Sequence, residues 1–280
     1  GVVQIPFLPV SFFKTHRVQS TPFEPQMIFE SSGTTQTINS KHYVKDIAIY
    51  TESFLKGFAQ FYGDPEGWCI IGLLPSYLER QNSSLVMMVD ELIRQSKHYR
   101  SGFYLYEYDQ LADHLQQLER QQQKTLLIGV TFALLDFAEK YPMPLKHTIV
   151  METGGMKGRK TEMTRQEVHS LLKTAFHLPC IHSEYGMTEL LSQSYSKGDG
   201  MFRSPPWMKV LLRNEDDPLE ILSPSGKGTN GVVNIIDLAN IYSCSFIATD
   251  DAGKLYPDGS FEILGRIDNS DIRGCSLMAV

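Results

Sequence analysis

Three apolar runs in the first half of the chain are too continuous to belong to half-exposed elements. Residues 68–74 (Trp-Cys-Ile-Ile-Gly-Leu-Leu), 125–130 and 147–152 each hold four to seven residues of strand-forming type between turn signals. Such a run suits a strand covered on both faces. Between the runs the apolar period lengthens to that of a helix. Val44, Ile47, Ala48, Tyr50, Phe54, Leu55 and Phe58 fall on one face of a helix expected over residues 40–61, with Ser40 as its N-cap. Further helices are expected over 83–95, 109–123, 132–140 and 164–176, a short strand at 104–106, and a fourth buried strand starting at 179–182. Residues 1–28, with several prolines and aromatics and little periodicity, read as an extended arm or strand.

Strands alternating with helices imply crossover connections and a largely parallel sheet flanked by helices, an α/β fold. Ligands of such sheets bind beyond the carboxyl ends of the strands. Two loops lie at those ends, Thr153-Gly154-Gly155 and residues 183–189. After residue 200 the pattern changes to short strands at 210–221, 232–236, 241–249 and 261–264, parted by Gly, Pro, Asn and Asp. That is a meander or small β-subdomain. The expected organisation is an α/β core over 1–200, a β-subdomain over 201–265 and a C-terminal tail over 266–280.

Composition narrows the class. The chain has 280 residues, 42% hydrophobic and 21% charged, as expected of one large or two modest globular domains. A net charge of −6 argues against a general nucleic-acid binder. No apolar run is long enough to span a bilayer, and the start lacks the pattern of a signal peptide. The chain opens on Gly1 rather than Met, which suggests processing or trimming. Cysteines at 69, 180, 244 and 275 have neither metal nor disulfide-framework spacing, which fits a reducing cytoplasm.

The candidate chemistry begins at Phe29-Glu30-Ser31-Ser32-Gly33-Thr34-Thr35-Gln36-Thr37. Small hydroxyl residues around a glycine offer backbone N–H groups and side-chain donors to a polyphosphate. No Gly-Lys-[Ser/Thr] follows, so this is not a Walker A loop, and by itself the run also reads as a solvated turn. Two later stretches alter the balance. One is Ser183-Glu184-Tyr185-Gly186-Met187-Thr188-Glu189. The other is Thr249-Asp250-Asp251, followed by Asp258-Gly259 and Gly265-Arg266-Ile267-Asp268. Residue by residue, blander readings stand beside the functional ones. Tyr185 fits a core aromatic, Glu189 a helix-start charge, Asp251 and Asp258 turn formers, and His182 a packed histidine.

In this order and spacing the stretches resemble the adenylate-forming superfamily of acyl-CoA synthetases, luciferases and peptide-synthetase adenylation domains. Within it, the Thr-Gly-Gly ahead of Tyr-Gly-Met-Thr-Glu and the ending Asp268-Asn269-Ser270-Asp271-Ile272-Arg273-Gly274-Cys275 look like the acyl-protein synthetases of the bacterial bioluminescence fatty-acid reductase complex. The phenylacetate-CoA ligases are a more distant likeness. The resemblance implies an enzyme that activates a fatty or other carboxylic acid with ATP and Mg²⁺ and passes the acyl group to a cysteine thioester. A reductase or carrier protein is the implied acceptor partner. Ser31, Ser32, Gly33, Thr34 and Thr35 would hold the β- and γ-phosphates. Glu184, Tyr185, Gly186 and Met187 would flank adenine, with Gly154 and Gly155 on its other side. Thr188 would meet the α-phosphate, Glu189 the metal, Asp251 the ribose hydroxyls, and Arg266 ribose or phosphate.

The chain departs from the superfamily's pattern at several points. Gln36 stands where a glycine is usual, Lys41 lies two positions late for a phosphate lysine, and Asp250 replaces a glycine or arginine. Past Cys275 only five residues remain, so the large C-terminal domain of longer relatives is expected to be missing. Cys275, beside Arg273 and Gly274, is the implied acyl-accepting nucleophile, since neighbouring positive charge favours the thiolate. A small apolar role is the alternative. The acceptor could also be coenzyme A, or the chain a nucleotide- or acyl-binding subunit without turnover. Phe103, Tyr104, Tyr106 and residues 129–135 fit either an acyl pocket or plain core.

Overall fold

The computed structural model describes residues 4–31, 38–75, 82–154 and 163–267. The chain enters through β1 (Leu8–Pro9) and a single helical turn, α1 (Phe12–Thr15). A hairpin of β2 (Met27–Glu30) and β3 (Lys41–Val44) follows, in register from Met27↔Val44 to Glu30↔Lys41. This corrects the expected helix start at Ser40. Residues 41–44 alternate in burial as a strand does, and α2 (Ile47–Tyr62) begins only after Asp46, whose carboxylate accepts from the Ala48 N–H at 3.0 Å.

The parallel half is then built stepwise: β4 (Cys69–Leu73), α3 (Ser84–Ser96), β5 (Gly102–Phe103), α4 (Tyr108–Arg120), β6 (Thr125–Val130), α5 (Thr131–Lys140), β7 (Thr148–Thr153), α6 (Arg165–Phe176) and β8 (His182–Tyr185). Every residue of β4 and β6 is buried, which is why both read as unbroken apolar runs. The strand expected at 104–106 is displaced to β5. The Phe103 ring fills the space that a side chain at Gly72 would take, and Tyr106 is exposed. Helix α6 opens on a capping box in which Thr164 and Glu167 satisfy each other's backbone N–H groups.

The remaining strands are β9 (Ser194–Ser196), β10 (Phe202–Arg203), β11 (Met208–Arg213), β12 (Ile221–Leu222), β13 (Thr229–Asp237), β14 (Phe246–Leu255) and β15 (Phe261–Arg266). β9 and β10 were not expected, β14 runs on to Leu255, and two expected strands change shape. The run 210–221 splits into β11 and β12, and the strand expected from 241 starts at Phe246. There Asp237 caps a 3₁₀ turn at Leu238–Asn240, accepting from the Ala239 N–H.

All but the β2–β3 hairpin join one sheet in the order β12-β11-β13-β14-β15-β10-β9-β8-β7-β6-β4-β5, with β1 lying parallel to the start of β14. Pairing is parallel from β5 to β8 and antiparallel from β8 to β12. The larger core lies along the parallel half. A second core of Val10, Phe13, Tyr185, Leu190, Phe202, Ile235, Ile247 and Phe261 lies along the antiparallel half, and Tyr185 marks where the halves meet.

Candidate nucleotide site

The ends of β7 and β8 lie side by side, with Thr153 and Glu184 as register partners, and the Thr153 hydroxyl donates to Glu184 Oε2 at 2.5 Å. Burial pushes the Glu184 carboxyl up to about 7; the Thr153 bond opposes the shift and the charge of Glu152 adds to it. A Cβ at Gly186 would run into Glu184 Oε1 and sit 3.4 Å from Cγ of Gln193, so this position must be glycine while the carboxyl stays where it is. Gly154, at the end of β7, has φ +72°, a conformation that favours glycine, and its carbonyl accepts from the Thr131 hydroxyl at 2.8 Å.

Beyond β8 three separate sequence stretches converge. The Tyr185 hydroxyl donates to Asp251 Oδ2 at 2.7 Å, and Arg266 Nε lies 3.5 Å from Asp251 Oδ1. Asp251 and Arg266 are register partners on β14 and β15, so the ladder itself sets the pair opposite each other. Burial raises the Asp251 carboxyl, while the Tyr185 bond and the Arg266 charge pull it down. Glu189 belongs to the same neighbourhood. Burial raises it too, against a hydrogen bond from Ser40 and the charges of Arg266 and Lys14. Gly186, Met187 and Thr188 are exposed or half-buried between the buried Tyr185 and Glu189, so the strand end presents this turn to solvent.

Ser31 closes the base of the phosphate-type loop: its backbone pairs with Ser40 at 3.0 Å, and its hydroxyl accepts from the Ser40 N–H at 2.9 Å. Ser32, Gly33, Thr34, Thr35, Gly155 and Cys275 lie outside the described residues. Of the turn readings, Asp251 is corrected, since it sits inside β14. Asp258 does serve its turn, accepting from the Ser260 N–H and hydroxyl. His182 packs on Tyr62, whose hydroxyl lies 3.1 Å from its Nδ1. Residues 129–135 are buried core. Phe103 and Tyr104 line an open groove of about 700 Å³ at the β5 edge. Four strand steps separate β5 from β8, roughly 19 Å at ordinary strand spacing, so this groove is not where the motifs meet.

Sequence reasoning missed four residues that hold the site together. Glu152 is buried beneath Gly154, with Arg165 Nε at 3.3 Å and His169 Nε2 at 3.6 Å. Arg165 also donates to the Ile263 carbonyl at 2.9 Å and lies over the Phe202 ring, tying α6 to β7, β10 and β15. His42 Nδ1 lies 2.8 Å from the Thr188 carbonyl, and Asn240 Nδ2 donates to the Glu189 carbonyl at 2.7 Å. A carboxylate immediately ahead of Thr-Gly-Gly was a readable signal. The other three lie far in sequence from what they hold.

The donor set suits a hard divalent cation that brings its own oxygen ligands. Among the described residues no three His, Cys, Asp or Glu side chains converge on a metal position, and Glu189 offers one carboxylate on the turn after β8. One carboxylate plus phosphate oxygens and water is the usual environment of Mg²⁺.

Solved structures with this fold are adenylate-forming enzymes. ATP-bound MatB from Rhodopseudomonas palustris superposes with a TM-score of 0.62 at 16% identity, over 88% of this chain and 49% of that one. A luciferase-like enzyme from the nonluminescent Zophobas morio mealworm gives 0.56 at 17%, over 89% and 60%. MenE from Bacillus subtilis, in complex with AMP, gives 0.54 at 15%, over 87% and 49%. The chain thus spans about half the length of the solved structures it matches, and no curated protein matches it. A family model described as acyl-protein synthetase, LuxE, matches residues 1–279, and the chain belongs to that family.

Proposed function

We propose that the chain activates a carboxylic acid by adenylation and passes the acyl group to a thiol. The observation that supports this best is the convergence of Tyr185, Asp251 and Arg266, with Glu189 four residues beyond Tyr185, at the strand ends where α/β folds bind ligands. ATP would lie with its ribose against Asp251. Among the described residues each carboxylate oxygen there has one partner and can accept a second hydrogen bond. Glu189 would hold Mg²⁺, which neutralises phosphate charge when bound. A carboxylate oxygen of the acid attacks the α-phosphorus, a P–O bond forms, and pyrophosphate leaves. Catalysis is mainly positioning and charge neutralisation, with Thr188 and Arg266 at the reacting phosphate.

In the second step a thiolate attacks the acyl carbon, an S–C bond forms and AMP leaves. Membership of a family described as acyl-protein synthetase supports transfer to a protein thiol, and Arg273, two residues before Cys275, favours Cys275 as that thiol. The likeness of the motifs to the bioluminescence acyl-protein synthetases supports a fatty acid as the acid activated. A reductase or carrier protein would then take the acyl group. Pyrophosphate release with ATP, Mg²⁺ and a panel of carboxylic acids tests the first step. Release that depends on the acid is expected. ATP binding without release under any acid would reduce the chain to a binding subunit.

A further inference from the structure

A small cavity of about 10 Å³ lies behind the Thr188–Glu189 turn, lined by His42, Asn240 and Ser243 among others. Three buried polar atoms there have no hydrogen-bond partner among the described residues: His42 Nε2, Asn240 Oδ1 and Ser243 Oγ. Their residues are at most 7% exposed. Buried polar groups left unpaired are costly, so three in one place call for a common partner.

The other ends of these side chains dictate what that partner is. His42 Nδ1 faces the Thr188 carbonyl, which can only accept, so Nδ1 carries the proton. Burial lowers the His42 pKa to about 4, against the opposing pull of the Thr188 carbonyl and the Asn240 amide, so the ring is neutral. With its one proton on Nδ1 for Thr188, Nε2 faces Asn240 Oδ1 as one acceptor facing another, and the two cannot bond each other. The Asn240 amide nitrogen is committed to the Glu189 carbonyl, which turns Oδ1, a second acceptor, toward the ring. Flipping the amide would only move the clash onto Glu189. The group between them must donate twice and accept once from the Ser243 hydroxyl. A water molecule does this, and the space is at the lower limit that one needs, roughly 10–15 Å³.

We propose that His42, Asn240 and Ser243 bind one buried water and that the water-centred clamp positions the Thr188–Glu189 backbone for adenylation. The positioning role rests on the function proposed above; the water itself does not. Thr188 and Glu189 are held by their backbone carbonyls, so the clamp fixes the turn without engaging the Thr188 hydroxyl or the Glu189 carboxyl.

The experiment has two arms. In protein labelled with ¹⁵N-histidine, the His42 resonance, identified by its loss in His42→Gln, is expected to report the neutral Nδ1–H tautomer with Nε2 hydrogen-bonded as an acceptor. A crystal structure fine enough to show ordered solvent is expected to place one water within hydrogen-bond reach of all three atoms. An Nε2–H tautomer, an imidazolium at pH 7, or a dry site with Ser243 bonded directly to His42 overturns the water. In the second arm, Ser243→Ala is expected to lower kcat for acid-dependent pyrophosphate release by roughly tenfold, the effect of one misplaced hydrogen bond, with KM for ATP held. Unchanged kcat in the folded variant overturns the positioning role. If the wild type releases no pyrophosphate with any acid, the adenylation reading and the positioning role fall together, while the first arm still decides the water.

Discussion

Glu152 and Glu184 stand on neighbouring strands, both buried, and their acidities are driven in opposite directions. Burial works to raise both. At Glu152 the His169 hydrogen bond and the Arg165 charge more than offset it and hold the carboxyl below its usual range; at Glu184 the Thr153 hydroxyl does not, and the carboxyl moves up to about 7. The native state therefore keeps the Glu184 proton after the unfolded chain has lost its own near 4.5, so the stability tied to that proton is full below about 4.5 and is lost as pH rises toward 7. Glu184→Gln keeps the shape and cannot ionise. Its stability relative to wild type should rise between pH 5 and pH 8, by on the order of 3 kcal/mol at most. Urea unfolding of both proteins across that range checks this, and a gap that stays constant or narrows would refute it. Asp251 gives a second prediction at this scale. Its carboxylate is the expected ribose acceptor, and losing a hydrogen bond to a charged group costs about 1.5–3 kcal/mol. Asp251→Ala should weaken ATP binding roughly tenfold or more by calorimetry with circular dichroism unchanged; full affinity in the folded variant would remove Asp251 from the site.

Between elements, the ties that matter here run across the sheet rather than along the chain. Arg165, in the first turn of α6, pairs with Glu152 on β7 and holds the Ile263 carbonyl on β15, three residues before Arg266. Arg165→Met leaves Glu152 buried without its cation, and a loss of about 2–3 kcal/mol is expected, on the low side for a broken buried pair because the Arg165 side chain is 31% exposed. Glu152→Gln in the same background should restore most of it. Urea unfolding of the four proteins forms the cycle, and strictly additive losses would show that the two side chains are not coupled. Local pattern carried the buried strands well: β4, β6 and β7 lie within two residues of the expected runs, because a strand covered on both faces reads as a nearly continuous apolar run, with polar residues mainly at the ends. Ser40 misled because it and Asp46 are both good caps, and Val44, which seemed to start the helical face, is instead the buried end of β3. The late start of β14 was hidden for a similar reason. Ile241 looks like a strand residue, while Asp237, far more polar, sets the turn before it. Tyr185, Glu189, Asp251 and Arg266, which the fold brings into one neighbourhood, stood in short contiguous stretches of sequence. Their supports, His42, Arg165 and Asn240, did not, since His42 and Asn240 act over about 50 residues of sequence or more and Arg165 reaches both Glu152 and the distant Ile263.

At the scale of the whole molecule, Tyr185, Asp251 and Arg266, the residues proposed to meet the nucleotide, gather where the parallel and antiparallel halves of one sheet join, and the proposed acyl acceptor follows β15 in sequence. Arg266 ends β15, and its backbone neighbour Ile267 is fastened by its N–H to the Asp250 carbonyl at 2.8 Å. Ile267 thus directly follows the register partner of the proposed ribose acceptor Asp251, and Cys275 follows Ile267 by eight residues in sequence. Eight residues fully extended span at most roughly 26–29 Å, which sets the upper limit on how far from Ile267 a thiol at 275 can act. Cys69, Cys180 and Cys244 are in the opposite situation. All are fixed within the fold, and burial raises the pKa of each, which keeps them as poorly nucleophilic thiols. Adenylation and acyl transfer are then separable by mutation. Cys275→Ser should release pyrophosphate in a first turnover at close to the wild-type rate, because the adenylate residues are untouched. It should form no acyl-protein cleavable by neutral hydroxylamine, since a serine would give at most an oxyester. Intact-mass measurement after incubation with ATP, Mg²⁺ and a matching acid should show the acyl increment on wild type alone. An increment that persists as a thioester in Cys275→Ser, or that maps to Cys180 or Cys244, would move the acceptor elsewhere. A free coenzyme A thioester accumulating with no acylated cysteine would make the chain a ligase of that kind instead.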